Sequence, residues 1–131
     1  PLPRPVSLKN ESIDVIRRFS PEVTIGRSST DTVKGTVAHM RAPLESVHRC
    51  DELAQPAWII VPEYRENAET SLMRITRAST FMHLAKHSFN YSLLGRKGFE
   101  SLATVVDASD CFGLTYGDLD DAIRVFDGLD T

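Results

Sequence analysis

Between Pro56 and Pro62 the chain carries five consecutive apolar residues, Ala57-Trp58-Ile59-Ile60-Val61. The run is too short for a helix and rich in β-branched and aromatic side chains, so it reads as a strand. It has no polar alternation. Such a strand is expected to be buried on both faces, as in a sheet covered by helices.

The flanking sequence alternates helical and extended patterns. Asn10 is positioned as the N-cap of a helix whose apolar face carries Ile13 and Ile16, and Ser20-Pro21 closes it. Residues 22–27 and 33–40 predict two short strands, joined through the polar stretch 28–32 as a β-hairpin. Pro43 opens a second helix with Leu44, Val47, Cys50 and Ala54 on one face. After the apolar strand, the spacing of Ile75, Ala78, Phe81, Met82 and Ala85 predicts one long helix over residues 67–86. Residues 91–95 and 102–106 read as two further strands around the turn Gly95-Arg96-Lys97-Gly98. A last helix runs from an N-cap at Asp118 to Phe126 and stops at Gly128. The prolines at 1, 3 and 5 predict an extended arm or linker over residues 1–9. The expected fold class is α/β: one domain over residues 10–131, with a mixed β-sheet flanked by helices.

Composition sets bounds on function. Of 131 residues, 41% are hydrophobic and 25% charged, a balance that suits a globular chain and excludes a disordered one. No apolar stretch is long enough to span a bilayer, and no signal-peptide pattern opens the sequence, so the expected location is cytoplasmic with no membrane partner. The chain opens on Pro1 rather than Met, which suits a segment of a longer parent protein. Cys50 and Cys111 form no metal-binding pair and read as reduced, structural thiols.

Charge is unevenly distributed. Residues 74–97 hold Arg74, Arg77, Lys86, Arg96 and Lys97 and no acid, whereas residues 98–131 hold eight acids against Arg124 alone. The basic stretch suits phosphate contacts, and the acidic one suits either repulsion of phosphate or an internal partner for the basic stretch. Arg41, Arg74, Arg77, Lys86, Arg96 and Lys97 are therefore the candidate nucleic-acid-binding residues.

Phosphate-loop, dinucleotide, zinc-protease and serine-hydrolase motifs are absent from the sequence. His83 and His87 stand four apart, a spacing that stacks them on one helix face but supplies only two ligands. The densest constellation joins Pro21-Glu22 at the start of one hairpin strand to His39-Met40-Arg41 at the end of its partner.

With a helix before the hairpin and a helix, buried strand and helix after it, this arrangement resembles the PD-(D/E)XK nuclease superfamily over roughly residues 10–106. The resemblance implies a restriction-endonuclease-like sandwich and a metal-assisted phosphodiester site. Glu22 takes the place of the first acid. His39 stands where the second acid is needed and Arg41 where lysine is needed, so the catalytic set Glu22, His39 and Arg41 is degenerate. Arginine keeps its proton, and neutral imidazole is a poor Mg²⁺ ligand. The alternative Asp31/Lys34 pair falls on opposite faces of a strand.

The resemblance thus implies a non-catalytic, nuclease-like domain, a pseudoenzyme that binds DNA, RNA or a protein partner. No metal or other cofactor is expected in that case. An active nuclease would need Mg²⁺ or Mn²⁺ and would pair Glu22 with Asp14, Asp31 or His39. A third reading makes the chain a protein-assembly module within a larger protein or complex.

Overall fold

A computed structural model describes residues 3–129, so Pro1 and Leu2 of the expected arm, and Asp130 and Thr131, lie outside the described residues. The fold is mixed α/β. The span expected to form one domain divides into two compact units, Pro1–Ala54 and Gln55–Thr131. Each has its own three-stranded sheet in place of the single mixed sheet expected. No helix among the described residues is long and apolar enough to cross a membrane.

In the first unit the order is β1 (Val6–Lys9), α1 (Glu11–Phe19), β2 (Ser29–Thr32), β3 (Gly35–Met40) and α2 (Leu44–His48). The sheet order is β1-β3-β2, antiparallel throughout. The expected arm is therefore a strand from Val6 onward. Val-Ser-Leu-Lys alternates with period two, and Leu8 drops into a core with Ala38 and Ile13, which Ile16, Ile25 and Met40 complete.

The hairpin exists, but its turn lies at Val33-Lys34 instead of 28–32. Thr32 Oγ1 accepts from Lys34 N–H (3.1 Å) and donates to the Gly35 carbonyl (2.5 Å), and Gly35 takes φ 80°, which closes a two-residue loop. The first expected strand, 22–27, reduces to an isolated bridge between Ile25 and Met40.

Asn10 stands at the helix start but does not cap it with its side chain. Its Oδ1 accepts from Thr36 N–H (3.0 Å) while its own N–H donates to the Thr36 carbonyl (2.9 Å), tying the β1–α1 corner to β3. The second helix is only five residues long, and Leu44, Val47 and Cys50 of its expected apolar face are exposed.

In the second unit the order is β4 (Trp58–Tyr64), β5 (Ser71–Arg74), α3 (Arg77–His87), α4 (Tyr91–Asp107), β6 (Asp110–Tyr116) and α5 (Leu119–Asp127). The sheet order is β4-β6-β5, with β6 parallel to β4 and antiparallel to β5. The central strand β6 has no counterpart in the sequence reading.

Two corrections follow from it. The expected long helix over 67–86 breaks, because residues 71–74 pair with β6 and Thr76 Oγ1 then caps α3 from Ser79 N–H (3.1 Å). The expected strand pair at 91–95 and 102–106 is instead α4, kinked at Gly95 (φ 51°, ψ −125°). Its β-branched residues suggested strands, but Phe99, Leu102 and Val106 recur at helical spacing, and Val106 is buried. The last helix forms as expected: Asp118 accepts from the N–H groups of Asp120 (2.9 Å) and Asp121 (3.2 Å), and Gly128 ends it.

The apolar strand that anchored the sequence reading is present as β4, but it is an edge strand. Trp58 remains 42% exposed and Ile59, Ile60 and Val61 are only half-buried. The strand is parallel to β6 and carries its apolar run accordingly, yet among the described residues no strand lies beyond it in the sheet.

At the far end of β6, Gly117 lets the β4–β5 connection approach closely. A Cβ there would meet Ala68 N and O at 2.7 Å and the Arg65 carbonyl at 3.0 Å, all backbone atoms with little freedom to move. Gly117→Ala is expected to destabilise the second unit by about 1–3 kcal/mol, as overpacking typically does. Urea unfolding followed by Trp58 fluorescence reads this directly.

Candidate functional site

The nuclease-like constellation can be placed residue by residue. Gly26 N–H donates to the His39 carbonyl and Arg41 N–H to the Thr24 carbonyl, both at 2.9 Å, so residues 24–26 run antiparallel beside 39–41. Glu22 lies two residues beyond this pairing, on an exposed turn, where its carboxylate accepts from the Ser20 hydroxyl. His39 is exposed on β3 directly opposite Ser7.

Strand alternation decides which groups share a face. Ala38 and Met40 point into the core beneath α1, so His39, and Arg41 by the same alternation, point to the opposite face. Asp14, a proposed partner for Glu22, sits on α1 and pairs with Arg17 (3.3 Å). Asp31, the other carboxylate considered, lies in the irregular stretch of β2 with φ 60°. Among the described residues no three His, Cys, Asp or Glu side chains converge to hold a metal ion.

The six candidate nucleic-acid contacts are dispersed. Arg41 belongs to the first unit and the other five to the second. Arg74 pairs with Asp110 (2.9 Å) and lies over the Phe112 ring (5.2 Å to its centre). Arg96 pairs with Glu100 (2.6 Å). Arg77 opens α3 and Lys86 stands near its end. Nine residues separate the two, so they emerge from opposite sides of the helix, about 13 Å apart along its axis. Arg77 and Lys86 therefore do not share one face of α3. His83 and His87 do stack on α3, with ring centres 4.6 Å apart.

A different feature stands out at the α3–α4 corner. Phe89 is 97% exposed and Leu93 83% exposed, with Met82, Leu94 and Phe99 also uncovered. Phe89 and Leu94 line a hollow with Tyr91, Leu102 and Val105. Phe81 of α3 packs against Phe99 (5.0 Å between ring centres) and edge-on to Tyr91 (6.2 Å) of α4, which holds the two helices together.

The sequence reading missed this surface because it assigned 91–95 to a buried strand. The available signal was the apolar density of Phe89-Asn90-Tyr91-Ser92-Leu93-Leu94 immediately after a basic helix end. Lys86 precedes the cluster by three residues and Arg96-Lys97 follow it by two, so cations rim the hollow in sequence on both sides.

Comparison of the chain with protein-family models, curated proteins and solved structures finds no match in any of the three.

The Ser20 hydroxyl, and secondarily Glu22's own backbone N–H, hold the Glu22 carboxyl below its ordinary pKa. A lowered folded-state value means that the contact stabilises above the ordinary carboxylate pKa and is lost as pH falls through the lowered one. Ser20→Ala is expected to return Glu22 to the ordinary carboxylate range. An NMR titration of the Glu22 side chain checks it; an unchanged midpoint refutes the assignment to Ser20.

Proposed function

We propose that this chain is a protein-binding module, without catalysis of its own, that docks an apolar segment of a partner at the α3–α4 corner. The observation that carries this reading is the exposure of Phe89 and Leu93 beside a hollow lined by Phe89, Tyr91, Leu94, Leu102 and Val105. Covering such side chains stabilises a complex by roughly 1.5–3 kcal/mol each, and a contiguous apolar patch of this kind on a small unit marks an interaction surface. The flanking Lys86, Arg96 and Lys97 favour a partner that is acidic beside its apolar residues. Arg96, already paired to Glu100, can exchange that exposed partner at little cost.

A photo-crosslinking residue substituted for Phe89 in the living cell tests this reading. The expected result is a discrete protein adduct that Leu93→Asp abolishes while the fold, followed by circular dichroism, is retained. Absence of any discrete protein adduct overturns the proposal.

A second reading rests on the first unit. Ser7 and Lys9 on β1 and His39 on β3 share the sheet face turned away from α1, with Arg41 beyond, and none of these side chains is paired to a carboxylate among the described residues. That face suits the phosphates of a nucleic acid, in keeping with a nuclease-like domain that has lost its catalytic set. Two phosphate contacts, by Lys9 and Arg41, imply a roughly twelvefold loss of affinity for a fourfold rise in salt. Titration of short DNA and RNA strands at two salt concentrations, with and without Mn²⁺, measures it, and Lys9→Ala and Arg41→Ala should each flatten the salt dependence. Cleavage that requires Mn²⁺ and Glu22 would instead establish the active-nuclease reading.

A further inference from the structure

β4 is bonded by β6 on one side, and among the described residues no backbone group bonds it on the other. The bonds from Asp110 N–H to the Ala57 carbonyl and from Arg65 N–H to the Tyr116 carbonyl, both 2.9 Å, fix the phase of the ladder. The odd-numbered residues of β4 face β6, and Trp58, Ile60, Pro62 and Tyr64 direct their backbone groups outward. Pro62 therefore sits where its missing N–H removes nothing from the sheet. By the same alternation Pro56 is also at an outward position. The open edge thus presents the N–H groups of Trp58 and Ile60 between two prolines, with that of Tyr64 beyond Pro62.

We propose that this edge pairs antiparallel with β4 of a second copy of the chain, about a two-fold axis through Ile59. Trp58 of each copy then lies opposite Ile60 of the other. Each such pair exchanges two N–H···O bonds, and Pro56 faces Pro62. Every N–H and C=O of Trp58 and Ile60 is bonded in this register. A shift of two residues either way sets the carbonyl of Trp58 or Ile60 against a proline nitrogen with no hydrogen to give.

Charge also fits a second copy. No charged residue occurs from Gln55 to Pro62, and Glu63 falls opposite Gln55, so no like charges meet across the pair. The other edge of this sheet is β5, four residues long and carrying Arg74, a combination that discourages pairing. The side chains of Trp58 and Ile60 share one face with Phe126 and Leu129, around a hollow at the end of α5. Pairing would bring Ile60 of the partner beside Trp58, which is 42% exposed in the single chain.

The test is sedimentation equilibrium over a wide concentration range, with the emission of Trp58, the single tryptophan, as a second readout. The expected result is a monomer–dimer equilibrium with a blue shift of Trp58 emission on association. Ile60→Pro removes an outward N–H while leaving the odd-numbered bonds to β6 in place. It is expected to weaken the dimer roughly thirtyfold, for two hydrogen bonds lost per dimer. Pro62→Val adds an N–H facing the Pro56 carbonyl and is expected to tighten it, which keeps the test open if Ile60→Pro fails to fold. Leu93→Asp should leave the equilibrium unchanged, which separates this edge from the α3–α4 surface. A chain that stays monomeric at every concentration, a dimer indifferent to Pro62→Val, or one abolished by Leu93→Asp overturns the proposal.

Discussion

The two-sided hydrogen bonding of β6 is the constraint on which the second unit depends. Asp110, Phe112, Leu114 and Tyr116 face β4, while Cys111, Gly113 and Thr115 face β5. Among the described residues neither β4 nor β5 pairs with any other strand, so each is ordered through β6. Central position also explains burial: Leu114 and Cys111 lie on opposite faces of the strand, and both are buried. The strand succeeds here despite Gly113 because the backbone is paired on both edges, which offsets the weak packing a glycine offers.

Once β6 occupies the centre, the most apolar segment of the chain is displaced to an edge. That placement leaves the unit with two kinds of unsatisfied surface. At β4 the deficit is in backbone hydrogen bonding, limited by prolines to a short window. At the α3–α4 corner the deficit is apolar, since Phe89 in the connecting turn and Leu93 at the start of α4 are both left exposed. The two surfaces ask for different things, a strand in one case and an apolar side-chain face in the other. Another protein could supply either one, and the proposed assembly role rests on that complementarity.

The first unit is organised by a smaller device. Asn10 replaces two missing backbone contacts at once, bonding Thr36 through both its main chain and its carboxamide, and adopts positive φ to do so. The Gly35 turn packs against the same carboxamide, which would collide with a Cβ at that position. The result holds β1 against β3 and leaves one sheet face to α1 and the other to solvent. The division into faces separates His39 and Arg41 from the acids of α1.

Local chemistry was legible in the sequence. The α1 helix with its Ser20-Pro21 stop, the apolar strand at 57–61, and the last helix with Asp118 as cap formed where their local patterns place them; a hairpin also formed, but with its turn at Val33-Lys34 and residues 29–32 in place of 22–27 as its first strand. So did the stacking of His83 on His87, which follows from helical spacing alone. Features that depend on distant partners were not legible. Residues 110–116 carry a glycine and polar groups and become a strand only because β4 and β5 lie on either side. Residues 91–95 and 102–106 suggest strands but form a helix, in which Val106 is buried and Phe99, still half exposed, packs on Phe81 of α3. The expectation that Ile60 and Val61 would be buried on both faces failed for the same reason: hydrophobicity says that a segment seeks cover, but only the tertiary arrangement decides how much cover it receives. The chain by itself determined its turns, caps and apolar segments; the tertiary structure decided strand order, and with it which apolar and cationic groups remain exposed, because pairing and burial are properties of neighbours far away in sequence.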